Sequence, residues 1–188
     1  MRKLWVKAWM TLDGVFDAET MDHWWQNTDS PERMQHIMEE YANGDAYLLG
    51  RVTYEEFAAA WPAMEETTGE FGAKMNAMPK VVVSTTLADP AWKNTTVDRG
   101  DDLPGLVADL KQRYDGDILV AGSATLVAGL REHDLVDEYR LMVHPVLIGQ
   151  GKRLFGDGSA MTDLVLTDSR NVGPDVLLLT YRPTTRDN

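Results

Sequence analysis

The stretch ILVAGSATLVAGL, residues 118–130, joins an apolar strand to a helix through Gly122 and Ser123. The first helical turn, Ala124-Thr125-Leu126-Val127, has no acid, although the chain as a whole is acidic. Free backbone N–H groups at such a helix start form an anion site, and glycine lets a ligand approach the main chain. An ordinary strand-to-helix turn has the same appearance. A second junction is LLGRVTYEEF, where Gly50 ends a strand and Thr53 with Glu56 forms a capping box. Arg51 can pair with a phosphate bidentately, while Glu55 and Glu56 would oppose an anion there. In VVVSTTL, Ser84 and Thr85 follow a buried run at a strand's carboxyl end, where open α/β sheets bind ligands. A polar turn is the alternative. MTLDG puts Asp13 just after the first strand, as a turn residue or as a polar anchor at the mouth of a cleft. HPVLIGQGKRLFG carries Lys152 and Arg153, a basic pair that suits an anionic substrate group, a solvated loop or a dimer edge. The Trp24-Trp25 pair can stack a planar ligand or fill a core, and Trp25 is retained as a candidate substrate contact.

Other chemistries lack their residues. No cysteine is present, so thiol nucleophiles, disulfides and thiolate metal sites are excluded. His23, His36, His133 and His144 show no metal-ligand spacing, and no metal is expected. P-loop, G-x-S-x-G and G-x-G-x-x-G patterns are absent. The formal net charge of -12 argues against nucleic acid and against anionic membranes as partners. No apolar run spans a bilayer and MRKLWVKAWM reads as a strand rather than a signal peptide, so a cytoplasmic location is expected.

A chain of 188 residues suits one domain, over residues 1–188. Leu4, Val6 and Ala8 alternate with Lys3, Trp5, Lys7 and Trp9, as in a strand. A long loop from Thr11 to Asp29 follows, of the kind that closes over a site. Ser30-Pro31-Glu32 starts a helix with an apolar stripe of Met34, Ile37, Met38 and Tyr41, stopped by Asn43-Gly44. AYLLG is a buried strand, and the helix after it is expected to end near Ala60; residues 62–79 hold at most a short helix. PKVVVSTTL and DILVA are strands, with a helix between them on Leu103, Leu106, Val107, Leu110 and Tyr114. A further strand is expected within Pro90–Val97, then others at Tyr139–Ile148, Leu164–Thr167 and Val176–Tyr181. Strand–helix alternation followed by a strand-rich end predicts a three-layer α/β fold, mostly parallel, with antiparallel strands added at one edge.

In order along the chain, MTLDGVF, DAYLLGRVTYEEF, PKVVVSTTL, DILVAGSATLVAGL and HPVLIGQGKRLF resemble the dihydrofolate reductase superfamily. They look closest to the reductase domain of bacterial riboflavin biosynthesis and its stand-alone relatives. The resemblance implies a mostly parallel sheet of roughly eight strands with flanking helices. It also implies hydride transfer from NADPH to a small pyrimidine- or pteridine-like ring, as in a 5-amino-6-(5-phosphoribosylamino)uracil reductase. By the same resemblance Gly50, Arg51 and Thr53 touch the cofactor's phosphates. Ser84 and Thr85 lie beside the adenosine 2′-phosphate, and Gly122, Ser123, Ala124 and Thr125 cradle the pyrophosphate. Asp13 matches the aspartate of an S-x-D-G-like motif near substrate, with Thr11 in place of the serine. Met34 stands where folate reducers carry a ring-binding acid, with Glu32 near it, so folate itself is not expected. Lys152 and Arg153 become partners for a ribosyl phosphate. Asp13, Glu32 or a bound water is left to supply the proton. A non-catalytic nucleotide- or ligand-binding protein on the same fold is the alternative, and a homodimer is expected with either.

Overall fold

The computed structural model describes residues 2–156 and 161–184. In chain order the elements are β1 (Leu4–Thr11), α1 (Ala18–Met21), a 3-10 turn (Gln26–Thr28), α2 (Pro31–Ala42), β2 (Gly44–Gly50), α3 (Arg51–Thr68) and α4 (Glu70–Ala77). There follow β3 (Lys80–Val83), β4 (Thr95–Asp98), α5 (Leu103–Arg113), β5 (Asp117–Ala121), α6 (Ala124–Glu132), β6 (Glu138–His144), β7 (Leu164–Asn171) and β8 (Leu177–Pro183). The strands form one eight-stranded sheet in the order β4-β3-β2-β5-β1-β6-β8-β7. Pairing is parallel from β4 through β6 and antiparallel from β6 to β8 and β7. This is the expected α/β arrangement.

Each face of the sheet carries its own core. On one, Leu4, Val6, Ile118 and Val120 pack with Val107 and Leu110 of α5 and Val127 and Leu130 of α6. On the other, Trp5, Tyr47, Leu49 and Leu119 pack with Ile37 and Tyr41 of α2, Tyr54 of α3 and Met75 of α4. A strand covered on both faces has no solvent side to mark with polar residues. In β1, therefore, Trp5 and Lys7 are both buried although they alternate with aliphatic residues.

Four local expectations are corrected. First, α3 begins at Arg51 with Gly50 as an N-cap that makes no side-chain bond, so the Thr53–Glu56 capping box does not form. β2 meets α3 directly, and the chain turns at Gly50 itself. Second, α3 runs through Pro62 to Thr68 and is followed by α4, where the sequence predicts an end near Ala60. Phe57 and Trp61, on the helical turn before Pro62, pack in the second core, and Trp61 meets Phe71 of α4 at 5.4 Å between ring centroids. Third, Met34 and Met38 are exposed on α2; its buried face is Arg33, His36, Ile37, Glu40 and Tyr41. Fourth, β6 stops at His144, short of Ile148, and β7 continues past Thr167 to Asn171. Among the described residues no helix is long and apolar enough to cross a membrane.

Candidate active site

Adjacent parallel strands β2 and β5 send their helices to opposite faces of the sheet: α3 belongs to the second core and α6 to the first. Such a divergence opens a crevice beyond the strands' carboxyl ends. The turns after β2, β3 and β5 lie along this one rim. Gly50 pairs with Val83, the residue before Ser84. A Cβ added to Gly50 would fall 2.1 Å from Ser123 Oγ, so the first and third turns are in contact. At the crevice is a cavity of about 390 Å³. Its walls come from Lys7 and Trp9 of β1, Phe16 and Asp17 of the following loop, Tyr41 of α2, Thr53, Glu56 and Phe57 of α3, and residues 121–125.

The α6 start is led by Gly122 and Ser123. Gly122 has φ +84°, and a Cβ there would fall 2.8 Å from Phe16 Cζ, so only glycine fits. Ser123 follows at φ 67° and caps the helix, accepting from the Leu126 N–H at 3.4 Å. No acid occupies the first turn.

The floor is charged. Lys7 Nζ lies 2.7 Å from Glu40 Oε2, with both side chains about 95% buried. Lys7 also stands over the Tyr41 ring, 4.3 Å from its centroid. Burial pushes the Lys7 pKa below that of an ordinary lysine, against the pull of Glu40. Burial opposes ionisation of Glu40 as well, but Lys7 and His36 prevail and hold its carboxyl down at about 2. Glu40 is further framed by His36 Nε2 at 3.4 Å and Arg140 Nη1 at 3.8 Å. On the wall, Glu56 has its carboxyl raised by burial and by the charges of Asp17 and Glu19, while Lys152 pulls the other way. Asp17 is itself buried; it caps α1 and accepts from the Lys152 N–H at 3.1 Å.

Of the residues singled out in the sequence, Thr53, Gly122, Ser123, Ala124, Thr125 and Lys152 line the cavity. The others are placed around it. Asp13 accepts from Thr11 Oγ1 at 2.6 Å and from the Gly149 N–H at 2.7 Å, which ties the 148–149 loop to the end of β1. Those bonds hold its carboxyl below the usual aspartate range. Arg153 donates to the Asp13 carbonyl oxygen. Glu32 is exposed in the first turn of α2. Arg51 grips both oxygens of Glu55, at 2.9 and 2.7 Å. Ser84 Oγ accepts from the N–H groups of Thr86 and Leu87, and Thr85 is exposed. Trp25 stacks on Trp9 at 4.2 Å, one layer behind the wall.

The loop from residue 14 to 29 is ordered from below. Arg33, fully buried, lies 3.9 Å from the Trp25 ring centroid and donates to the Trp25 carbonyl, Thr28 Oγ1 and Asp29 Oδ1. Val15 bridges to Arg153. Lys7, Glu40, Glu56, Asp17 and Phe16 were not singled out in the sequence as site residues. The one available signal was a charged Lys7 inside a strand too apolar to have a solvent face.

Chain and family also coincide. The model of the RibD C-terminal domain family matches residues 2–178. Uncharacterized protein YyaP of Bacillus subtilis (strain 168) is 27% identical over 174 residues, covering 92% of this chain and 90% of that protein. A putative riboflavin biosynthesis protein from Shewanella sp. PV-4 superposes with a TM-score of 0.74 at 20% identity, covering 97% of this chain and 99% of that one. The diaminohydroxyphosphoribosylaminopyrimidine deaminase/5-amino-6-(5-phosphoribosylamino)uracil reductase of Thermotoga maritima superposes with a TM-score of 0.69 at 15% identity, over 97% of this chain and 57% of that larger protein. The fold is therefore shared with these structures, and the chain belongs to the RibD C-terminal domain family.

Proposed function

We propose that the chain is an NADPH-dependent reductase of a small planar heterocycle, pyrimidine- or pteridine-like. The observation that carries this reading is the cavity, which joins an acid-free helix start led by Gly122 to an aromatic chamber with an ammonium at its floor. The α6 start suits a dinucleotide pyrophosphate: its first turn carries no acid, and Gly122 lets the main chain turn at φ +84° beneath the Phe16 ring without a side chain of its own. Arg51 is available for a further phosphate, because an exposed i,i+4 pair such as Arg51–Glu55 holds by only about 0.3–0.5 kcal/mol. Once bound, the cofactor supplies the hydride. The protein does the rest. Trp9, Phe16, Tyr41 and Phe57 exclude water and offer faces to a planar ring. Lys7 places a positive charge beneath the ring site, its ammonium buried against Glu40 and the Tyr41 ring. Glu56 holds a proton on its carboxyl at a higher pH than an ordinary glutamate and replaces Asp13 and Glu32 as the proton source, since neither of those lines the cavity. The test is titration with NADPH and NADH, read by tryptophan fluorescence: Trp9 lies on the wall and Trp25 stacks against it. Quenching or a shift with NADPH, and a clear preference over NADH, is expected; no response at millimolar NADPH overturns the reading.

The placement of Asp13 and Glu32 outside the cavity favours one second reading, a binding protein that holds the dinucleotide and a ring without chemistry. Cofactor binding with no oxidation of NADPH by any pyrimidine, pteridine or quinone would select it.

A further inference from the structure

The distribution of charge around the cavity narrows the substrate, on the reading that the α6 start is taken by cofactor phosphates. Three acidic side chains line the chamber, Asp17, Glu19 and Glu56, against two lysines, Lys7 and Lys152. Lys7 is neutralised by Glu40 at 2.7 Å, which leaves the exposed Lys152, 3.8 Å from Asp17 Oδ1, as the cation facing the lining acids. Neither arginine near the rim lines the chamber: Arg153 donates to the Asp13 carbonyl, and Arg51, exposed at the start of α3, is assigned above to a cofactor phosphate. A phosphate carried by the substrate would therefore enter a chamber whose lining acids outnumber the one lysine left to offset them. The aromatic walls, in contrast, suit an uncharged ring, and the carboxylates suit ring N–H donors.

We propose that the substrate is an uncharged or cationic, amino-bearing planar heterocycle without a phosphate group, and that the carboxylates of Asp17 and Glu19 exclude the phosphorylated form. This is a different preference from that named for the Thermotoga maritima relative, whose reductase substrate is a phosphoribosylaminouracil.

The experiment compares two probes on the full chain, 5-amino-6-(ribosylamino)uracil and its 5′-phosphate, each titrated with and without saturating NADP⁺ and read by tryptophan fluorescence. The unphosphorylated probe is expected to bind at least about tenfold tighter at low ionic strength, with the gap narrowing as salt screens the carboxylates. Glu19→Lys, on the exposed face of the short α1 helix, is expected to close or reverse the gap while leaving the circular dichroism spectrum unchanged. Equal or tighter binding of the 5′-phosphate, a folded Glu19→Lys variant with the gap intact, or binding of neither probe overturns the proposal. Failure of NADPH to bind overturns the reductase reading instead, and the two probes on the cofactor-free chain still decide the substrate class.

Discussion

Ser123→Asp separates the anion cradle from the fold. Aspartate caps a helix about as well as serine and tolerates a positive φ better, so the 67° backbone at this position accepts it. Its charge faces the positive end of the α6 dipole, worth about 0.3–1 kcal/mol in favour of the variant. The Ser123 Oγ already sits 2.1 Å from where a Gly50 Cβ would be, so the extra oxygen has no room toward β2 and must point toward the cavity. There it meets the dinucleotide's phosphates. Two like charges about 4 Å apart at an effective dielectric near 20 repel by about 4 kcal/mol, roughly a thousandfold in affinity. The two readouts should therefore part. The melting temperature is expected to stay within about 4 °C of wild type, the shift that about 1 kcal/mol produces in a domain of this size. NADPH binding, followed by tryptophan fluorescence, should be lost in the accessible range. A folded Ser123→Asp variant that binds NADPH within a few-fold of wild type would refute the assignment of Gly122–Thr125 to the cofactor.

Three further outcomes are expected. Glu40→Gln leaves Lys7 buried without its counter-charge, which should cost about 3–5 kcal/mol in urea unfolding, whereas Lys7→Met/Glu40→Met should be far less destabilised. In the single variant the native Lys7 sheds its proton more readily than the unfolded chain does, so the deficit should shrink between pH 7 and pH 9; a pH-independent deficit would argue against a buried ammonium. His144 is buried against Trp24, bonded to Thr28 Oγ1 at 2.8 Å, and held down to about 4 by burial and by Arg33. The unfolded chain takes up this proton first as pH falls, so stability should decline from pH 6.5 toward 4 by at most about 3 kcal/mol on this account, and His144→Asn should flatten the slope between pH 6.5 and 5; parallel slopes would exclude His144 as the cause. The expected homodimer has its test at the edge hairpin, where Leu164, Leu166 and Leu177 are exposed: light scattering should give a dimer that Leu166→Lys converts to a monomer, and a monomeric wild type would remove the expectation.

The sheet was legible because its elements announce themselves locally. Apolar runs such as VVV and ILVA need burial on both faces, and glycine or proline marks where each stops. What was misread shares one cause. The α2 stripe was read as Met34, Ile37, Met38 and Tyr41 on the rule that apolar residues turn inward. The buried face instead takes in Arg33, His36 and Glu40, because each has a fixed partner: Arg33 has Trp25, Thr28 and Asp29, His36 has Glu40, and Glu40 has Lys7. The partners of Arg33 and Glu40 come from the loop before the helix and from β1, and no periodicity within one segment carries that information. The capping box failed for a related reason. Thr53 and Glu56 have the right spacing, but β2 feeds α3 directly at Gly50, which makes Thr53 the third helical residue rather than the N-cap, with both side chains on the cavity wall.

The same distinction explains which site residues could be read in advance. Backbone-built features are local, so the Gly122–Thr125 turn was visible from its own composition. Side-chain chemistry in the chamber is assembled from β1, α1, α2 and α3, and becomes visible only when the fold brings those elements together. Lys7 shows the consequence. A lysine buried in a central strand costs several kcal/mol to desolvate, and Glu40 recovers that cost only if both are held in register. A chain selected for stability alone would gain by replacing both with apolar residues of similar volume. The pair is compatible with the fold but not required by it, and the Lys7 side chain lines the cavity beside Tyr41 and Trp9. Lys7→Met/Glu40→Met therefore sets the two accounts of this pair against each other: near-wild-type stability together with lost ring binding assigns the buried charge to recognition, and retained ring binding assigns it to packing.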